Sequence, residues 1–182
     1  MDKASATFKA GGAHVRRAVC LALALALVAP AAARAAPAPD TAVFPFELDD
    51  TSLGSSPQGP PPAEQARLRA LDAQLRAALA ASGRYEPIDT TPVAAQLATR
   101  DLRSCNTCAA ELARRLGAKM SVNGWVQKVS NLILNINLVV RDASTGRMLR
   151  AGSVDIRGNT DESWRRGLAY LLDHRILNDR TP

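Results

Sequence analysis

Between Leu132 and Asp142 apolar and polar residues alternate: Leu132, Leu134, Ile136, Leu138 and Val140 lie on one side, Asn135, Asn137 and Arg141 on the other. A two-residue period belongs to a strand with one buried and one solvated face, since a helix would scatter the same residues around its circumference. The stretch therefore commits this region to an antiparallel sheet resting one face on a core. Residues 119–130 and 147–157 read as the strands before and after it, and Asp142-Ala-Ser-Thr-Gly146 reads as a hairpin turn with Gly where positive φ is needed. An odd-length turn at 130–132 would place Met120, Val122, Gly124 and Val126 on the Leu/Ile face, and Trp125, Gln127 and Val129 with the asparagines. In the third strand two sets compete for the core face: Met148, Gly152, Val154 and Ile156, or Leu149, Ala151 and Ser153.

The remaining pattern supplies helices to cover that face. Residues 41–48 read as a first strand in which Pro45 marks an edge or an early exit from pairing. Asp49 to Pro62, rich in Gly, Ser and Pro, reads as a long exposed loop. Leu68, Leu71, Leu75 and Leu79 recur at three- and four-residue spacing, which predicts a helix over 63–82 closed by Gly83. A short strand follows at 85–88, then a helix opened near Pro92, interrupted at 101–107 and resumed to Leu116. Asn159 or Thr160 caps a last helix, with Glu162 as the reciprocal partner of Asn159 in a capping box and Trp164, Leu168, Leu171 and Leu172 buried. The expected fold is α+β: two layers, a mixed sheet of about five strands in the order β-α-β-α-β-β-β-α, and helices mainly on one face.

The first 35 residues have a different design. Basic residues run up to Arg16-Arg17, an apolar run extends from Ala18 to Ala29, and Ala33-Arg34-Ala35 fits a small-x-small cleavage site. The run is too short to span a bilayer, so 1–35 reads as a cleavable signal peptide, 36–40 as a flexible leader and 41–182 as one α+β domain without a transmembrane segment. The expected location is the periplasm. This changes the meaning of the formal charge of +6: five of the 23 basic and one of the 17 acidic residues lie in 1–35, which leaves about +2 beyond them. A nucleic-acid partner is therefore not expected.

The stretches Ala42-Val-Phe-Pro-Phe46, Leu116-Gly117-Ala118 and Asp142-Ala-Ser-Thr-Gly146, in this order of elements, resemble the domain shared by the N-terminal part of TolB and the periplasmic part of the curli secretion protein CsgG. More closely, 41–177 resembles a family of secreted bacterial proteins of unknown function, through Phe44–Ser52, Gly124–Leu134 and Asp155–Trp164. The resemblance implies a fold and a compartment; it implies no activity.

The sharpest local chemistry is Cys105-Asn-Thr-Cys108. At a helix N-terminus a thiol is acidified and a second one three residues on can resolve a mixed disulfide, yet in an oxidising compartment the same pair closes a small structural disulfide. Zinc needs about four ligands, and beyond residue 35 there are two Cys and one His, His174, so neither a metal nor another cofactor is expected. No GxSxG, P-loop or GxGxxG occurs. Asp49 with Asp50, and Asp155, Asp161 and Glu162, could act as acid and base, but turns and helix N-termini favour such residues on structural grounds. Trp125, Gln127, Asn135 and Asn137 on one sheet face, with the 49–62 loop beside them, read as a docking surface. The expectation is a non-enzymatic binding or assembly accessory with an envelope protein partner, self-association left open; the alternative is a thiol-disulfide protein using Cys105 and Cys108.

Overall fold

In the computed structural model, residues 36–55 and 58–178 are described. The segment read as a signal peptide lies outside them. The strands are β1 (Asp40–Val43), β2 (Glu47–Asp50), β3 (Glu86–Ile88), β4 (Met120–Lys128), β5 (Ile133–Asp142) and β6 (Met148–Arg157); the helices are α1 (Pro62–Ala81), α2 (Ala94–Leu97), α3 (Cys108–Arg115) and α4 (Asp161–Leu171). A 3-10 turn, Thr91–Val93, precedes α2, and a π-helical turn, Leu172–Ile176, extends α4. The sheet runs β3-β1-β4-β5-β6, with β2 also along β4. β1 is parallel to β3 and β4, β2 is parallel to β4, and β4-β5-β6 is antiparallel.

Register follows the alternation. Val122, Val126, Leu134, Ile136, Leu138 and Val140 share one face and pack under Leu71, Leu75 and Leu79 of α1 and Trp164, Leu168 and Leu171 of α4. Trp125, Gln127, Asn135 and Asn137 take the other face. In β6 it is Gly152, Val154 and Ile156 that lie opposite the inner residues Leu138, Ile136 and Leu134. A register shift at Val140/Arg141 brings Met148 opposite Arg141, so Met148 leaves that set. Leu132 also leaves it: it sits in the hairpin turn, exposed, because Val129 and Ser130 already bond back to the carbonyl of Ile133.

The expected single strand over 41–48 is two strands. Val43 lies opposite Val122 and Glu47 opposite Trp125, so three residues, 44–46, face only Asn123 and Gly124. The extra residue is Pro45, which has no N–H to contribute and points to solvent. The bulge reverses the alternation. Phe44 goes with Ala42 into a small core on the outer side, against Leu112 and Ala113 of α3, while Phe46 joins Val43 in the main core. Helix α1 satisfies main-chain groups around this bulge. The Phe46 N–H donates to Asp72 Oδ1 at 2.7 Å, and the Arg76 guanidinium donates to the carbonyls of Val43 and Ile88. Burial dominates at Asp72 and raises its pKa, against the opposing effects of the Phe46 N–H and Arg76.

Helix ends follow local chemistry. α1 starts on the proline run and stops before Gly83, whose φ is +65°. In α4 the cap is Thr160 and its reciprocal partner is Ser163, not the Asn159 and Glu162 pairing. Glu162 instead bonds Arg165 one turn on, and Asn159 is drawn into the cluster described next.

Candidate functional site

The outer face of β4-β5-β6 is the first candidate. Trp125 stands opposite Asn137 and Gln127 opposite Asn135, all four half-buried. Asn135 Nδ2 donates to Asp155 Oδ1 and its Oδ1 accepts from Ser153 Oγ, both at 2.8 Å, so β6 holds this amide in one orientation. Neighbouring side chains of β6, Ala151, Ser153, Asp155 and Arg157, are exposed. α1 and α4 lie on the opposite side; on this side, among the described residues, α3 and its small core pack against β1, β4 and β5, and Asn123 and Val139 are buried.

Beside Trp125, the Glu47 carboxylate accepts from the N–H groups of Leu102 (2.8 Å) and Arg103 (3.0 Å), and Arg103 pairs with Asp49. Burial raises the Glu47 pKa against those two bonds. This clasp fixes the 101–107 segment, which carries Cys105 and leads into Cys108. Cys105 and Cys108 have their Cα atoms 5.5 Å apart with the sulfurs at disulfide distance, and Cys108 is the first residue of α3. Asp49 and Asp50 end strand β2, where they form ion pairs, instead of opening the loop expected from Asp49 to Pro62. The loop that follows them leaves β2 at the Lys128 end of β4, where the Thr51 N–H bonds the Lys128 carbonyl. Its residues Ser52, Leu53, Gly54 and Pro61 face the β4–β5 hairpin at the end of the sheet.

At that end lies the second candidate. Lys128 is the next inward position after Val126, and it is 6% exposed. Its ammonium donates to Glu64 Oε1 at 2.7 Å and Asp50 Oδ2 at 3.1 Å. Glu64 Oε1 also accepts from Asn159 Nδ2 at 2.6 Å, and Asn159 Oδ1 accepts from the Trp164 indole N–H and from Arg67. Burial disfavours the Lys128 charge, but the bonds and charges of Glu64 and Asp50 outweigh it and raise its pKa. At Asp50 burial is likewise overcome, by Ser52 and Lys128, and the pKa falls. Asp161, one of the acidic residues marked in the sequence, pairs with Arg67 at 2.7 Å. His174 lies elsewhere, stacked on Tyr170. Among the described residues no group of three or more His, Cys, Asp or Glu is placed to hold a metal ion.

Sequence reasoning missed Lys128, Glu64 and Asn159, though two left a signal. Lys128 continues the even-numbered apolar face of β4, and Glu64 lies four residues before Leu68 on the leucine stripe of α1. A charge on an apolar stripe requires a buried counter-charge.

Among the described residues, fold and site together define a small α+β module with α1 and α4 on one sheet face, the short α3 on part of the other, and a buried ion cluster at the end of the sheet. The chain belongs to the family DUF3280, described as protein of unknown function (DUF2380), which matches residues 39–176. No curated protein matches it. Among solved structures, the lipoprotein GNA1162 from Neisseria meningitidis is similar at a TM-score of 0.50 and 15% identity, over 79% of this chain and 99% of that one. The LpoB C-terminal domain from Salmonella enterica gives 0.47 and 17%, over 66% and 84%. TolB from Acinetobacter baumannii gives 0.41 and 14%, over 74% and 28%. The first of these likenesses concerns the fold alone.

Proposed function

We propose that this protein is a non-enzymatic binding or assembly accessory of the periplasm that docks an envelope protein on its open sheet face. The observation that carries the reading is the stretch of outer sheet face from half-buried Trp125 and Asn137 to exposed Ala151, Ser153 and Asp155, which no helix covers among the described residues. A sheet whose two longer helices lie on one side leaves much of the other to water or to a partner. Trp125 would supply apolar burial at the centre, and Gln127, Asn135 and Asn137 would border it with amide hydrogen bonds. Asn135 is already held by Asp155 and Ser153, which lowers the ordering cost of its contact. Periplasmic location is supported by the signal-like layout of 1–35, and the Cys105–Cys108 pair would serve as a structural disulfide there.

Cross-linking in the periplasm with wild type and Trp125→Ala tests this. The variant is expected to keep its far-UV spectrum and to lose the cross-linked partner. An unchanged set of cross-linked partners would refute the placement.

A further inference from the structure

Four of the large apolar side chains that are exposed lie at one end of the sheet: Leu53 in the loop after β2, and Val129, Leu132 and Ile133 in the β4–β5 hairpin. Leu53 and Val129 also border a cavity of about 450 Å³, along with Ser52, Glu64, Lys128 and Asn131. An apolar rim beside a cavity whose wall also carries charged groups is the form of a site that takes a side chain with a long apolar stem and a polar head.

The charge of the wall decides which head. Lys128 carries one positive charge between two carboxylates, Asp50 and Glu64, and the nearby Arg67 is engaged by Asp161. The group therefore holds one negative charge in excess. Glu64 is 4% exposed, and while its Oε1 accepts from both Lys128 and Asn159, its Oε2 is buried with no hydrogen-bond partner. A buried carboxylate oxygen without a donor is costly, and a second cation at this wall would remove both the orphan and the excess charge. A further anion would add to the excess. For the same reason the rim is poorly suited to an anionic bilayer, which recruits positive charge.

We propose that this cavity is a receptor site for a lysine or arginine side chain of a partner protein, seated between Leu53 and Val129, neutralised by Glu64, with Leu132 and Ile133 of the adjoining hairpin available to the same partner. The proposal rests on the docking reading in one respect, that the ligand belongs to a partner protein. Val129 and Ile133 lie on the same sheet face as Trp125, so one partner can reach both places.

Propylguanidinium, which reproduces the head and stem of arginine, is the probe, titrated into the purified protein and followed by amide and indole N–H resonances. Shifts are expected at Ser52, Asn131 and the Trp164 indole, the last because its N–H bonds Asn159 beside Glu64. Glu64→Gln should weaken the apparent affinity about tenfold or more. Leu53→Ser should weaken it too, and because Leu53 touches solvent on all sides its fold is not at risk. Absence of localised shifts, equal shifts with Glu64→Gln and Leu53→Ser, or the same shifts from butyrate would overturn the proposal. So would binding to phosphatidylglycerol vesicles lost in Leu53→Ser without any response to the cation. A Glu64→Gln protein that keeps its periplasmic cross-link, beside a Trp125→Ala protein that loses it, would retain the docking face and reject the cation site. The reverse pattern would reject the docking face alone.

Discussion

Lys128 shows how a single residue can oppose the pattern around it. It sits where the alternation demands an apolar side chain, and its charge is tolerated because Glu64 and Asp50 meet it. Removing the cation alone leaves two carboxylates facing each other in a poorly hydrated place. Lys128→Met should therefore cost roughly 3–5 kcal/mol in urea unfolding, and Lys128→Met with Glu64→Met should recover part of that loss. Strictly additive losses would contradict the coupling. The pH window of the pair follows from its shifts. Lys128, raised above 10.5, contributes fully below that value and loses the contribution as pH rises through its folded pKa. Asp50, lowered from 3.8, contributes above that value and loses it as pH falls through its folded pKa. A separate acid-sensitive point is Asp142 in the β5–β6 turn. Bonds from the Ser144 hydroxyl, then the Thr145 amide and hydroxyl, hold it at about 2. Its contribution is complete above 3.8 and lost as pH falls toward 2, so Asp142→Ala should flatten the fall of stability across that interval in urea titrations.

Among the elements, β2 and β4 meet at the bulge, and Gly124 makes the meeting possible. A Cβ there would stand 2.5 Å from the Phe46 ring and 2.8 Å from Leu138. The ring cannot retreat, because Asp72 and Arg76 tie down the main chain beside it. Gly124→Ala should cost about 1–3 kcal/mol by overpacking, and adding Phe46→Leu should return some of it. A neutral Gly124→Ala in thermal or urea melts would mean that the bulge yields. Elements with a strong period are legible in the sequence: the leucine stripe of α1, the faces of β4 and β5, and the buried side of α4. The Phe44-Pro45-Phe46 reversal is not. Its two rings occupy same-parity positions, and only an inserted residue sends them to opposite sides.

The described residues are built around a main core under α1 and α4 and a smaller one on the outer side of the sheet against α3, beside the segment clasped by Glu47. The cysteine pair belongs to that smaller region, and it closes a ring of few residues. Reduction, or Cys105→Ser with Cys108→Ser, should lower stability by about 2 kcal/mol and leave the far-UV spectrum and a single unfolding transition in place. Loss of the transition would show that the small core is required by the large one.

Read alone, the sequence determined which residues face together, because facing depends on backbone periods of two and 3.6 residues that any local stretch carries. It brought Trp125, Gln127, Asn135 and Asn137 to one surface for that reason. What tertiary structure alone decided was the partnering of distant groups: Lys128 with Asp50 and Glu64, 78 and 64 residues away, and the cavity they border. Such pairings depend on where the sheet order and the loop crossing bring the ends of β2, α1 and the β4–β5 hairpin, and no local period encodes that.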